Sequence, residues 1–337
     1  MAKVRVGING FGRIGRCTFK QLAARGDVEI AGVNDLADPD DLAYLLKYDS
    51  VHGWYKSKVW HDNGVLHVDE RSVPILAHRD PRSIPWGDLG AQVVIEATGV
   101  FRRRAAAAGH LEAGARYVVI SAPSDDADGT FVLGVNDDRL DPARHRVLSM
   151  ASCTTNCVAP PLAVLDEAFG VEEAMFTTVH AYTASQSLMD RPIRKRRRGR
   201  AAALSIVPTT TGAARAVERV LPQLEGKIDG MAMRVPVPDG SVTDLVVRLR
   251  SPATVEAVHD HLEEAARGPR LEGILRVTRE ELVSRDIVGD PHSSIVDATS
   301  TRLLNGRLLK LVVWYDNEWG YSARLVDLAV RLGAFAA

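Results

Sequence analysis

Apolar and polar positions follow two rhythms along this chain. The β-branched run "VRVGIN" (4–9) gives way to "GFGRIG" (10–15), and "RCTFKQLAARG" (16–26) then has helical spacing that stops at Gly26. A second apolar run, "VEIAGVND" (28–35), ends in an acid. Strand, glycine turn, helix and strand make one right-handed βαβ unit, which demands parallel strands. The rhythm continues with a helix over "DDLAYLLKY" (40–48), a strand in "AQVVIEAT" (91–98), a helix over "RAAAAGHLEAG" (104–114) and a strand in "ARYVVISAP" (115–123). This pattern predicts α/β architecture, a Rossmann-type doubly wound parallel sheet.

After about residue 150 the strand-like runs lengthen: "VEEAMFTTVHAYT" (171–183), "IDGMAMRVPVP" (228–238), "VTDLVVRLR" (242–250) and "RLLKLVVWYD" (307–316). Helical stretches such as "TGAARAVERVLPQL" and "TVEAVHDHLEEAAR" lie between them. Long strands with intervening helices predict a second, α+β domain on a mostly antiparallel sheet. "WGYSARLVDLAVRLGAF" (319–335) closes the chain as an amphipathic helix.

Composition agrees with two domains. A chain of 337 residues exceeds the size at which one hydrophobic core usually stops growing. With 46% apolar and 25% charged residues and a net charge of −1, nothing global draws it to nucleic acid or membrane. No apolar run reaches the ~20 residues that span a bilayer, and no signal-like segment precedes the first glycines, so a cytoplasmic protein is expected.

The glycine turn is the first candidate for chemistry. Gly10, Gly12 and Gly15 fit G-x-G-x-x-G between a strand and a helix, where backbone N–H groups can approach a pyrophosphate. Asp35 follows 20 residues beyond Gly15, at the end of the second strand, where a carboxylate accepts from ribose hydroxyls and repels a 2′-phosphate. That favours NAD over NADP. Arg13, inside the turn, can add a charge-assisted contact to the diphosphate.

Sulfur is scarce: Cys17, Cys153 and Cys157 are the only cysteines. "SMASCTTNCVAPP" (149–161) places two of them four apart, which admits a metal clip, a disulfide or a nucleophile with a bystander. A metal clip wants further ligands at suitable spacing, and none is present, so no metal is expected. An i,i+4 disulfide is geometrically poor within a helix. Cys153 instead falls where a strand ends and a Ser/Thr-rich helix begins, where the helix dipole favours thiolate. Cys157, one turn deeper, reads as a buried small hydrophobe. His180, in the next strand, is the candidate base. Thiol, imidazole and nicotinamide together describe aldehyde oxidation through a thioester.

"VGINGFGRIGR", "ASCTTNC", "HAYT", "IVPTTTGAARAV" and "WYDNEWGYSAR" carry a family resemblance. From about residue 3 to 330 the chain resembles the phosphorylating glyceraldehyde-3-phosphate dehydrogenases. The resemblance implies Cys153 as nucleophile and His180 as base. It implies that Ser152, Thr154, Thr183, Arg198, Thr211, Gly212 and Arg234 hold the substrate phosphate and inorganic phosphate. It also implies that Arg13, Ile14, Asp35, Arg79, Ser121 and Asn317 contact NAD, with Tyr321 near the nicotinamide pocket. The dinucleotide-binding domain would then be discontinuous, 1–152 plus 317–337, around a catalytic domain of 153–316. The protein would be a homotetramer in which the loop 181–203 lines a neighbour's cofactor site.

The departure lies in that loop. "RPIRKRRRGR" (191–200) is more basic than the family pattern, and Arg191 stands where NAD-specific members carry an apolar residue. Arg191 could bring some NADP use despite Asp35, and the basic run could bind nucleic acid or an acidic partner. No aromatics interleave with it as single-strand stacking would require, so nucleic acid is not expected. An erythrose-4-phosphate dehydrogenase is the alternative within enzymes, which "HAYTASQ" and "TTTGAARAV" disfavour.

Overall fold

The computed structural model describes residues 3–336. Strand β1 (Val4–Asn9) leads into helix α1 (Arg13–Ala23) and back along β2 (Val28–Asn34). Gly10 has φ of +95°, and a Cβ there would lie 2.6 Å from the Thr98 nitrogen. A Cβ on Gly15 would lie 2.1 Å from the Gly10 carbonyl oxygen. No side chain fits at either position, so these two glycines set how closely α1 crosses the strand.

Helix α2 (Pro39–Lys47) precedes a meander of three short strands, β3 (Val59–Asp62), β4 (Val65–Val68) and β5 (Arg71–Leu76). Strand β6 (Val93–Glu96), helical turns α3 (Arg104–Ala107) and α4 (Gly109–Glu112), and strands β7 (Tyr117–Ile120), β8 (Gly129–Thr130) and β9 (Val147–Ser149) follow. The sheet order is β3-β4-β5-β2-β1-β6-β7-β9-β8. It is parallel from β5 to β8, with β3, β4 and β5 paired antiparallel at one edge. Val6, Ile8, Val93, Val94, Ile95, Val118 and Val119 are all fully buried. A sheet covered on both faces needs such unbroken apolar runs.

The helix predicted over 104–114 is two short turns. The break falls at Ala108, just before Gly109, where a Cβ would press to 3.1 Å on Pro81 and Arg82.

The second sheet uses α5 (Cys153–Phe169), β10 (Val171–Ala181), β11 (Val207–Thr210), α6 (Ala213–Val220), β12 (Ile228–Val235), β13 (Ser241–Leu249), α7 (Val255–Arg267), β14 (Leu275–Thr278), β15 (Ser294–Leu304) and β16 (Leu308–Tyr315). Its order is β11-β12-β10-β13-β16-β15-β14, antiparallel except at β10–β12 and β14–β15. Helix α8 (Trp319–Phe335) ends the described fold.

Two compact units result. One takes the residues up to Phe131, Arg139–Ala151 and those from Ser322 on; the other takes Val132–Asp138 and Ser152–Tyr321. Against the expected 1–152 plus 317–337, the chain changes unit at 151/152 and 321/322, and Val132–Asp138 crosses over. The crossing is explained by Gly134, whose Cβ position lies 2.5 Å from Leu271 and 2.6 Å from the Arg270 carbonyl oxygen. Among the described residues no helix is long and apolar enough to cross a membrane.

Candidate active site

Strand β9 ends in a strained turn. Ala151 is buried with φ of +55°, a conformation costly for a residue with a Cβ, and its N–H bonds to the Ser149 hydroxyl at 3.1 Å. Ser152 is extended and caps α5, its hydroxyl accepting from the Thr155 N–H at 3.1 Å. Cys153 is therefore the first helical residue, half-buried, while Cys157 one turn on is fully buried. All three cysteines are free thiols.

Cys153 Sγ lies 3.4 Å from His180 Nε2 near the end of β10. The spacing of 27 residues in sequence is closed by one helix and one returning strand. His180 is held by packing on Tyr315, whose ring meets the imidazole edge-to-face at a centroid distance of 6.0 Å. The Tyr315 hydroxyl bonds to Thr154 at 3.0 Å and Thr178 at 2.7 Å, tying α5, β10 and β16 together behind the pair.

Electrostatics correct one expectation. A helix start was expected to depress the Cys153 thiol, but burial pushes it up to about 11, against the pull of Arg234 and of the Thr154 N–H and hydroxyl. Burial, with the Arg234 charge, also lowers His180 to about 3. Burial likewise pushes up Cys157, whose Sγ touches Thr243 Oγ1 and the Val313 carbonyl at 3.7 Å; it is structural, as the sequence indicates.

Around this pair the charges are one-sided. Arg234, the register partner of His180 on β12, reaches its Nδ1 at 2.7 Å. Arg198 donates to Thr209 Oγ1 at 3.0 Å and Ser185 Oγ at 3.3 Å, and Ser185 bonds Thr183 at 2.8 Å. Lys195, which motif reading did not single out, sits 3.3 Å from Thr210 Oγ1. Among the described residues no carboxylate pairs with Arg198, Arg234 or Lys195, and burial together with Arg198, Arg194 and Arg234 lowers the Lys195 ammonium. Thr211 accepts from the Ala213 N–H at 3.1 Å, and Gly212 caps α6 with no side-chain bond, leaving N–H donors open. A cluster of cations and donors without a counter-charge is suited to a phosphate.

Two of the expected phosphate residues have other partners. Ser152 spends its hydroxyl on Thr155, and Thr154 is buried with its hydroxyl on Tyr315. Within the basic run two cations are held by their own loop: Arg191 bonds Ser187 at 3.1 Å and Arg200 pairs with Asp190 at 2.7 Å.

The first unit holds a cavity of ≈ 470 Å³ lined by Gly10, Gly12, Asp35 and Arg79, with Asn9, Asn34 and Thr98 on its walls. Asp35 accepts from the Phe11 N–H at 2.6 Å and the Ala37 N–H at 3.0 Å, which fixes its carboxylate at the cavity. A Cβ on Gly12 would meet nothing within 4 Å, and α1 starts with no side-chain cap. That is the cradle a dinucleotide diphosphate requires, and the residues present fit NAD. Arg13 and Ile14 do not line this cavity, nor does Ser121; Arg13 instead pairs with buried Asp49 at 2.9 Å. Asn317 is buried in the second unit and accepts from Ser241 Oγ at 2.5 Å, and Tyr321 is buried there too. Asn9, Asn34 and Thr98 were missed; Asn9 and Asn34 close two parallel strands, the end at which such sheets bind ligands.

Comparison with known proteins agrees. Residues 4–104 match the family model described as glyceraldehyde 3-phosphate dehydrogenase, NAD binding domain, and residues 152–317 match its C-terminal domain. The chain is 53% identical over 331 residues to the glyceraldehyde-3-phosphate dehydrogenase of Streptomyces coelicolor, and equally to that of Geobacillus stearothermophilus, covering 98% of each chain. It is 52% identical to glyceraldehyde-3-phosphate dehydrogenase 1 of Bacillus subtilis, again over 98% of both chains. With two domain matches and half of all positions shared over nearly its whole length, this chain belongs to the glyceraldehyde-3-phosphate dehydrogenase family.

Proposed function

We infer that this protein is a phosphorylating, NAD-dependent glyceraldehyde-3-phosphate dehydrogenase, converting glyceraldehyde 3-phosphate and inorganic phosphate to 1,3-bisphosphoglycerate. The observation that carries the reading is Cys153 Sγ at 3.4 Å from His180 Nε2 beside Arg198 and Arg234, in a chain that matches the family end to end. His180 takes the thiol proton as sulfur adds to the aldehyde carbon and hands it to the oxygen of the opening carbonyl, giving a thiohemiacetal on Cys153 and a neutral imidazole again. His180 then removes the hydroxyl proton of that adduct as hydride departs, leaving a thioester. Bound NAD supplies the hydride acceptor. A phosphate oxygen attacks the thioester carbon, the C–S bond breaks, and Cys153 returns as thiolate.

The first unit serves as the dinucleotide domain, through Gly10, Gly12, Asp35 and Arg79, and the second as the catalytic domain. Arg198, Arg234, Thr183, Thr211 and Gly212 hold the two phosphates. Assembly as a homotetramer is supported by the bare apolar side chains on the loop and just past it, with Leu188 at 77% and Leu204 at 82% exposure. Asp35 favours NAD, and nothing in the geometry favours the erythrose-4-phosphate or nucleic-acid readings.

The test is reduction of NAD followed by absorbance with glyceraldehyde 3-phosphate, with and without phosphate. Sustained turnover only with phosphate is expected; preference for erythrose 4-phosphate, or turnover indifferent to phosphate, would contradict the reading.

A further inference from the structure

Glu96 closes β6, next to Ala97 and Thr98 of the first unit's cavity, and is only 1% exposed. Among the described residues no lysine or arginine pairs with it. A buried carboxylate is costly unless hydrogen bonds replace its water. Here they do. One oxygen accepts from Asn9 Nδ2 at 2.6 Å and from His110 Nε2 at 3.0 Å. The other accepts from the Thr98 N–H at 2.9 Å and from the Thr98 hydroxyl.

The direction of each bond is set from outside. The Trp86 indole N–H can only donate and meets His110 Nδ1 at 2.9 Å, so the ring carries its proton on Nε2, facing Glu96. The His78 backbone N–H donates to Asn34 Oδ1 at 2.8 Å. Asn34 therefore gives its amide nitrogen to Asn9 Oδ1 at 2.8 Å, and Asn9 turns its own nitrogen to the carboxylate. The Val100 N–H donates to the Thr98 hydroxyl at 3.0 Å, which leaves the hydroxyl proton for Glu96. Three lines of donors converge on one carboxylate and tie the carboxyl ends of β1, β2 and β6 together. Asn9, Asn34, His78, Thr98 and Val100, all links in these lines, line the cavity.

We propose that Glu96 is a positioning residue for the dinucleotide: it lies outside the cavity lining but fixes the groups that form it, and so sets the affinity for NAD. This rests on the reading of that cavity as the NAD site and adds the group that holds its shape. An isosteric amide cannot keep the pattern. With its oxygen toward Asn9 and His110, the side chain of Glu96→Gln aims its NH2 at the Thr98 N–H; turned round, it aims the NH2 at two other donors. His110 cannot adapt by moving its proton, because Nδ1–H would then face the Trp86 N–H. Asn9 cannot turn its amide without meeting the Asn34 nitrogen. Either orientation leaves a buried donor without an acceptor.

The test is NAD binding to the intact protein by titration calorimetry, with steady-state kinetics alongside. In Glu96→Gln the Kd and KM for NAD should rise about tenfold or more, the scale of one misdirected buried hydrogen bond. At saturating NAD, kcat and the KM values for aldehyde and phosphate should stay within about threefold of wild type, because the groups that do the chemistry lie in the second unit. A variant that melted earlier yet bound NAD as wild type does would make Glu96 a stabiliser only, and the proposal would fall. Should Glu96→Gln not fold, His110 decides. His110→Gln can still accept from Trp86 and donate to Glu96, and its Kd should lie within about twofold of wild type. His110→Leu can do neither, and its Kd should rise about threefold or more. Equal Kd values in these two variants would overturn the proposal. Wild type that bound no NAD at all would overturn the reading of the cavity and the proposal together, a failure distinct from unchanged affinity in the variants.

Discussion

His180 and Arg234 are register partners on adjacent parallel strands, β10 and β12, and their side chains meet at 2.7 Å. This pairing places a permanent cation against the far nitrogen of the imidazole that faces Cys153. The contact is assembled across 54 residues of sequence by one strand alignment, and the proposed function makes the base and the phosphate-holding charge neighbours.

Replacing the base should separate chemistry from binding. His180→Asn keeps a polar side chain in the strand but cannot take a proton from Cys153. Its kcat should fall roughly 10²–10⁴-fold, the size of a lost general base, with the KM for NAD little changed. Steady-state kinetics check this, and a kcat within a factor of three of wild type would remove His180 from its role.

Tyr315→Phe should lower stability more than it lowers activity. The variant leaves the hydroxyls of Thr154 and Thr178 without their common partner in a buried setting, a cost of about 1–3 kcal/mol. Denaturant midpoints compared at equal m-values measure it. A loss of kcat at full stability would instead give the phenol a part in the chemistry.

Cofactor choice should follow Asp35. Its carboxylate is fixed at the cavity by the Phe11 and Ala37 N–H groups, where a 2′-phosphate would meet a like charge. Asp35→Ser should raise the NADP-to-NAD ratio of kcat/KM by roughly tenfold to a hundredfold, the worth of one charge-assisted hydrogen bond. Arg191→Leu should leave that ratio unchanged, because Arg191 is bound by Ser187 of its own loop.

Acid stability should depend on Asp49. Burial would raise its pKa, but the His52 and Val51 N–H groups and Arg13 outweigh it and hold the carboxyl well below its ordinary 3.8. A folded-state pKa below the unfolded one gives stability that is complete above about pH 5 and is lost as the pH falls. Melting temperatures should therefore show Asp49→Asn less stable than wild type by a constant margin above pH 5, with the gap closing toward pH 2. A gap that widened on acidification would reverse the sign of this account.

Much of this was legible in the sequence for physical reasons. The buried parallel strands announce themselves as β-branched runs, and Gly10 and Gly15 as positions with no room for a Cβ. Cys153 could be placed because Ser152 is a good cap. The meander over 59–76 was not legible, since its strands are four to six residues long and half-exposed, with Trp60, His61 and His67 interrupting any apolar rhythm. The pKa of Cys153 was misjudged because the helix dipole is visible in sequence and burial is not. The contact of Arg234 with His180 depends on strand register, which no local pattern encodes.

The central claim is that carbon is transferred through the sulfur of Cys153 after His180 takes its proton. Mixing the enzyme with glyceraldehyde 3-phosphate and NAD while withholding phosphate should trap the acyl group, and peptide mass spectrometry should find one 3-phosphoglyceroyl adduct on residue 153, released when phosphate is added. Steady turnover on adding phosphate with no adduct at that residue, or an adduct on Cys157 in its place, would contradict the account.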